Sequence, residues 1–352
     1  MLKFVLIGSI LLFSFRLINQ PKPIKKPLPK EYQIIQNYIK SNQFRIAYQL
    51  LSENFKLQPN DTSLLRMHKQ LVINDYLNSY LPHVENDYQT YFLKQPLKEK
   101  CMSGEVNTKG HHDVKELIQY CRRISGIYDS IVFDETLNKK CQAAAFVMFV
   151  NNKLNHSPPK SWRCNNADAI DGANNSNLSL GHAFGDALIG QIEDDGANNT
   201  ECGHRRWILN PRNQVFGHGS TSNSMALNVL NSQIKFAEKF AKHQDSVPIC
   251  WPSKNYFPID LIFERWSFSL ANADFTDAQV VIKNQGKNIN CIKEPVAKGY
   301  GLNTLVWKVK DQINTENTYE VIVFNVKVFG GNQWVKKSFK YRVMPIKINN
   351  LD

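Results

Sequence analysis

The sequence predicts an α+β protein in three parts: a short helical region, a mixed domain of helices and strands, and an all-β sandwich. Three observations carry that expectation. Apolar residues recur at helical spacing early in the chain, broken at Asn42-Gln43 and Pro59-Asn60-Asp61. The middle alternates amphipathic helices with short apolar strands. From Trp266 onward apolar and polar residues alternate with a period of two, as in strands that bury one face.

A chain of 352 residues is too long for one ordinary domain, and 42% hydrophobic content is normal for packed protein. Lys and Arg (43) outnumber Asp and Glu (31), giving +12, which favours anionic surfaces such as phospholipid or cell-wall polymer. The basic residues are spread rather than massed in a stripe, and no nucleic-acid motif accompanies them, so nucleic acid is not an expected partner.

Lys3, the apolar run Phe4 to Phe15 and Arg16 have the length and flanks of an export signal, shorter than the roughly 20 residues of a spanning helix. No small-x-small site follows. Residues 1–20 are therefore expected to be a signal peptide or an uncleaved N-terminal anchor, and the protein to be secreted or held at the cell envelope. The 7 cysteines suit an oxidising compartment and include no CxxC pair. Cys121 and Cys141 fall on apolar helix stripes and read equally well as buried hydrophobes, so no pairing is assigned.

The helical region is expected over 28–82, after a basic, proline-bearing linker. Ile34, Ile35 and Tyr38 begin it; Ala47, Leu50, Leu51 and Phe55 follow; Asp61 or Thr62 caps a third helix through Leu64 and Leu71. That order resembles one tetratricopeptide repeat plus its successor helix, although such repeats need about three copies to bury a continuous face and a plain helical hairpin fits as well. Residues 83–115 read as a polar connector.

A mixed domain is expected over 116–235. Leu117, Cys121 and Ile124 mark one helix, Ile131 to Phe133 a strand, and Leu137, Cys141 and Met148 a second helix running to about Leu154. His156 then sits where the helix has stopped, before Pro158-Pro159. Asn174 to Gly181 reads as a polar loop tightening into an apolar pair. A third helix from about His182 to Asp195 carries Phe184, Leu188 and Ile192 on one face and His182, Asp186 and Glu193 on the other.

The run Gly203-His204-Arg205-Arg206-Trp207-Ile208-Leu209-Asn210-Pro211-Arg212 closely resembles a signature of bacterial CAP domains, the superfamily of cysteine-rich secretory proteins, antigen 5 and plant pathogenesis-related proteins. Leu137 to His156 resembles the helix that delivers that family's first histidine. Ser176-Asn177-Leu178 falls where many members read Glu-Asn-Ile, and Glu193-Asp194-Asp195-Gly196 where the second family glutamate ends its helix. The resemblance implies an α-β-α sandwich around a small antiparallel sheet, with a cleft lined by His156, Ser176, Glu193 and His204. In some members the cleft holds a divalent metal. Here that implies at most a triad, His156, His204 and Glu193, for an ion such as Zn²⁺ with water in the fourth position. Ser176 brings no carboxylate to the missing glutamate's place.

Beyond Val247 the alternating segments, turn-separated, predict an antiparallel, immunoglobulin-like sandwich over 248–346. Trp251-Pro252, Arg265 to Leu270 and Tyr300 to Trp307 also resemble the module that often follows bacterial CAP domains.

The resemblance implies a non-catalytic binding module for a lipid, glycan or protein ligand at or outside the cell surface. The alternative is a metal-assisted hydrolase using the cleft, with Glu193 as base. No HExxH, GxSxG or supported Cys-His pair backs the alternative.

Overall fold

The computed structural model describes residues 28–84, 87–231 and 247–349. The expected signal or anchor (1–20), most of the basic linker and positions 232–235 lie outside the described residues. Among the described residues no helix is long and apolar enough to cross a membrane.

The helical region contains α1 (Lys30–Lys40), α2 (Phe44–Leu57), α3 (Thr62–Asp75), a π-helical turn (Tyr76–Tyr80) and the short α4 (Leu81–Val84). Asp61 caps α3: its Oδ1 accepts from the backbone N–H of Ser63 at 2.7 Å and of Leu64 at 2.9 Å. The stripe of α1 is rotated from the expected one. Tyr32, Ile35 and Ile39, at i, i+3 and i+7, are buried, whereas Ile34 is 49% exposed.

Next come β1 (Phe92–Lys94), β2 (Glu105–Val106), α5 (Thr108–Ile124), β3 (Val132–Phe133), α6 (Glu135–Asn151), α7 (Ala167–Asn174), β4 (Ser176–Leu180), α8 (Phe184–Glu193), α9 (Gly203–Ile208), β5 (Val215–Ser220) and β6 (Ser224–Asn228). The expected connector is itself structured. It holds the β1–β2 pair, and α5 begins within it at Thr108, where the side chain of Asn107 accepts from Gly110 N. A disulfide from Cys101 to Cys164 fastens this segment to the loop after α6.

The middle sheet has the order β3-β5-β6-β4. It is not purely antiparallel, because β3 pairs with β5 in parallel. Alternation along β6 separates the layers: Ala226 packs with Cys141, Ala144, Ala145 and Met148 of α6, while Met225 and Leu227 join the larger core that includes Leu117 and Ile118 of α5 and Leu188 of α8. Helices thus cover both faces, the expected three-layer sandwich. Helix α6 presses closely on β5: a Cβ added to Gly219 would lie 2.1 Å from Gln142 N, and one on Gly217 would lie 2.4 Å from Leu137 Cβ. Only glycine fits there.

The C-terminal module holds β7 (Ile249–Trp251), β8 (Asn255–Pro258), β9 (Arg265–Ser269), β10 (Ala273–Asp274), β11 (Gln279–Asn284), β12 (Lys287–Ile289), β13 (Cys291–Lys293), β14 (Thr304–Val309), β15 (Tyr319–Gly330) and β16 (Gln333–Ile346). One sheet runs β12-β11-β15-β16-β8, with β10 on β15; the other runs β13-β14-β9-β7. Trp251, Trp266, Trp307 and Phe268 are buried in its core. The pairing departs from the antiparallel expectation at one edge, where β8 runs parallel to β16.

The single helical unit does not stand alone. α3 packs on β8 and α2 against α5, so neighbouring domains cover the face that further repeats would cover in a solenoid. Arg123 of α5 locks the contact, donating to Asp75 Oδ1 at 2.7 Å and Oδ2 at 3.2 Å in a buried, bidentate pair.

Buried imidazoles make the fold acid-sensitive. His218 Nδ1 lies 3.1 Å from His111 Nδ1 and its Nε2 lies 3.1 Å from Ser220 Oγ. Burial, then the charge of His111, holds His218 well below the usual histidine range. Burial pulls His111 down to about 4, opposed by Glu105. With folded values depressed, the unfolded chain takes up protons first, so stability is lost as pH falls from about 6.5 through about 4. Urea denaturation at pH 5 against pH 7.5 should show a loss of about 2 kcal/mol from His111 alone. A flat profile between those two values would contradict the assignment.

Candidate functional site

Helix α8 ends at Glu193, and Asp194 follows in the left-handed region at φ 57°. That turn sends the Asp194 carboxylate inward, where its side chain is 0% exposed, beneath the start of α9. Its Oδ2 accepts from the backbone N–H of His204 at 2.9 Å and of Arg205 at 3.4 Å. Asp194 therefore caps α9 from ten residues upstream and places a negative charge at its N-terminus. The Asp194 Oδ1 lies 2.7 Å from His204 Nδ1. With Nδ1 as donor, Nε2 is left as the free acceptor on a side chain that is 26% exposed.

The two arginines after His204 point into the protein. Arg205 donates to the carbonyls of Ile192 at 2.5 Å and Glu193 at 2.8 Å, closing the end of α8. It also reaches across to β9, donating to Arg265 O at 2.9 Å and Ser267 Oγ at 3.3 Å. Arg265 answers from β9 with bonds to Asp194 O at 2.9 Å and Gly196 O at 2.8 Å. Arg206 donates to Leu302 O at 2.9 Å and Ala297 O at 3.2 Å and lies over the Tyr300 ring. The run carrying His204 is thus also the joint between the middle domain and the C-terminal module.

The other predicted residues fall in different surroundings. The segment read as a polar loop is strand β4, and alternation turns its side chains to opposite faces. Asn177 and Ser179 face α9 and α8: Asn177 Nδ2 donates to His204 O at 3.1 Å, and Gln191 Nε2 donates to Ser179 Oγ at 2.9 Å. Ser176 goes the other way with Leu178, its Oγ buried 3.6 Å from Cys141 Sγ of α6. Ser176 therefore does not share a face with His204, which corrects its expected place in the cleft. His156 lies five residues past the end of α6, exposed, its Nδ1 3.1 Å from Ala173 O. Glu193 is half-buried, its carboxyl pushed up by burial and by Asp195 against the opposing charge of Arg205.

His156, Glu193 and His204 do not come together as a three-residue metal group in this arrangement. Among the described residues the group whose ligand atoms all lie within 4.8 Å of one another is His83, His112 and Asp113. The reason lies in the turns just described: each histidine directs its Nδ1 at its own partner, Ala173 O or Asp194. Sequence reasoning missed Asp194, although an acidic residue at the helix end beside Gly196 was its visible signal.

A second surface stands out at the far end of the sandwich. Strands β15 and β16 meet in a tight turn at Gly331 and Asn332, both with positive φ (58° and 64°), the backbone of a two-residue hairpin. Phe329 and Trp334 pair across the strands with ring centroids 5.3 Å apart. They are 44% and 55% exposed, and Val335 beside them is 41% exposed. Lys336 and Lys337 follow, with no carboxylate of the described residues within 4 Å, whereas Lys327 is paired to Asp277 at 2.6 Å.

The family described as "CAP: Cysteine-rich secretory protein family" matches residues 116–229. No curated protein matches the chain. Among solved structures, the N-terminal part of the bacterial S-layer protein SbsC aligns over 91% of this chain and 73% of that chain at 12% identity. Its TM-score of 0.20 carries no argument about fold. The matched span covers the helices and strands that build the His204 site, from α5 through β6. Residues 116–229 form a domain of the CAP, cysteine-rich secretory protein family, and a strand-rich module follows it.

Proposed function

We propose that this chain is an extracellular, non-catalytic binding protein that works at an anionic cell-envelope surface. In this reading the hairpin of β15 and β16 seats the protein on lipid, and the CAP cleft beside His204 engages a lipid, glycan or protein ligand. The observation that carries the reading is the hairpin tip, where Phe329, Trp334 and Val335 are exposed next to Lys336 and Lys337. Aromatic rings suit the headgroup boundary, and each lysine near an anionic surface adds about 1 kcal/mol. The disulfide between Cys101 and Cys164 fits an oxidising, extracellular setting. Against catalysis, the Asp194–His204 pair has the form of an oriented base, yet no hydroxyl or thiol of the described residues is hydrogen-bonded to its Nε2.

Co-sedimentation with phosphatidylglycerol-containing vesicles tests this directly. Binding should exceed that to pure phosphatidylcholine, fall with salt, and weaken about 10-fold or more in Trp334→Ala and in the Lys336→Glu/Lys337→Glu double variant. Equal binding to both vesicle types, or indifference to both variants, would count against the hairpin. Hydrolysis of generic ester or peptide substrates that disappears in His204→Ala would replace the binding reading with an enzymatic one.

A further inference from the structure

We propose that His83, His112 and Asp113 form a divalent-cation site, best suited to Zn²⁺, which clamps the end of the helical region to α5, the helix that leads into the CAP domain. The site is separate from the His204 cleft and does not depend on the binding role proposed above. His83 belongs to α4, at the end of the helical region; His112 and Asp113 belong to the first turns of α5. Asp113 Oδ1 lies 3.1 Å from His83 Nδ1 and 3.3 Å from His112 Nδ1, and the three ligand atoms are all within 4.8 Å of one another. Tetrahedral ligands at the usual Zn–N and Zn–O distances of about 2.0–2.1 Å are separated by about 3.3 Å. The two nitrogen–oxygen spacings are therefore already close to those of a loaded site.

The surroundings supply what such a site needs beyond its ligands. The second carboxylate oxygen, Asp113 Oδ2, is held by the Tyr91 hydroxyl and by Lys109 Nζ at 2.5 Å, which fixes the carboxylate and leaves Oδ1 directed at the two imidazoles. The side chain of Asp113 is 4% exposed and that of His83 is 18% exposed, whereas that of His112 is 53% exposed. Exposure thus rises from Asp113 through His83 to His112, so an ion would enter from the His112 side, where water can take the fourth position. Glu116, one turn along α5, adds negative charge facing His83. Lys109 opposes the cation, and for that reason affinity near micromolar is expected rather than the far tighter binding of an all-cysteine site. Histidine and carboxylate without thiolate favour Zn²⁺ over softer ions, and the low ligand count disfavours Ca²⁺.

In the simpler reading, both imidazoles only donate hydrogen bonds to one buried carboxylate. Titration of the full chain, stripped with a chelator and then given Zn²⁺ at pH 7, separates the two. Calorimetry should give an equivalent of bound Zn²⁺ that His112→Ala and His83→Ala each weaken by about 100-fold or more, and that His156→Ala and His204→Ala leave in place. The exposure of His112 makes its alanine variant a safe test of binding rather than of folding, checked by an unchanged far-UV spectrum. Thermal melting adds a second readout: Zn²⁺ should raise the midpoint of the unmodified chain by several degrees and leave His112→Ala unmoved. Absence of binding below about 100 μM, or binding untouched by His112→Ala, overturns the site.

Discussion

Replacing Arg205 by methionine is expected to destabilise the protein by about 3–5 kcal/mol, even though methionine fills much of the same space. The guanidinium is fully buried and serves acceptors on two domains: Ile192 O, Glu193 O, Arg265 O and Ser267 Oγ. Removing it leaves those acceptors in a dry interface, and a buried polar group without a partner costs about 1–3 kcal/mol. Strand β9 shows how far the two halves depend on each other. All of Arg265, Trp266, Ser267, Phe268 and Ser269 are buried, because the face opposite the sandwich core is covered by the CAP domain. Equilibrium unfolding would show the loss, and limited proteolysis should cut the variant near the joint before it cuts the parent. A variant that unfolds within 1 kcal/mol of the parent would mean that water replaces the guanidinium at little cost.

Asp194→Ala comes next, with an expected loss of about 3 kcal/mol. The carboxylate caps two backbone N–H groups and holds His204 by its ring. Loss of a helix cap alone costs about 1 kcal/mol, and charged hydrogen bonds to buried groups are worth about 1.5–3 kcal/mol. Asp194→Asn separates the two roles. The amide still accepts from the N–H groups of α9, so in urea denaturation it should recover roughly half of the loss; recovery of none of it would place the whole effect on the carboxylate charge.

Much of the architecture was readable before any coordinates. Asp61, one of the two expected caps, caps α3, and Trp266, Phe268, Leu305, Trp307, Val321, Val323 and Val343 all lie buried in strands. These features are local: a capping residue and a period-two alternation need only their neighbours in sequence. The site was readable in part. His204 and its signature located the CAP domain, but the partner of His204 depends on one left-handed residue after α8, which no periodicity announces. Ser176 lies away from His204 because its segment is a strand and not the expected loop. Once β4 is a strand, Leu178 shares the face of Ser176, and that face must be the core side. The link of Cys101 to Cys164 spans 63 residues and leaves no mark in spacing. Nor does anything local bring His83 to His112, although the consecutive His111, His112 and Asp113 stood in plain sight within a segment read as a connector.

The parallel pairing of β8 with β16 has a consequence for how the molecule is made. Asn255 to Pro258 find their sheet partners 88 residues later in the chain, at Val343 to Ile346. Helix α3, made long before, packs on that same strand. While the chain is growing α1, α2 and α3 can pack on one another, but the side of α3 that meets β8 has no finished surface until β16 is made. Contacts so distant in sequence form slowly, and exposed apolar segments in the interval invite association with other chains.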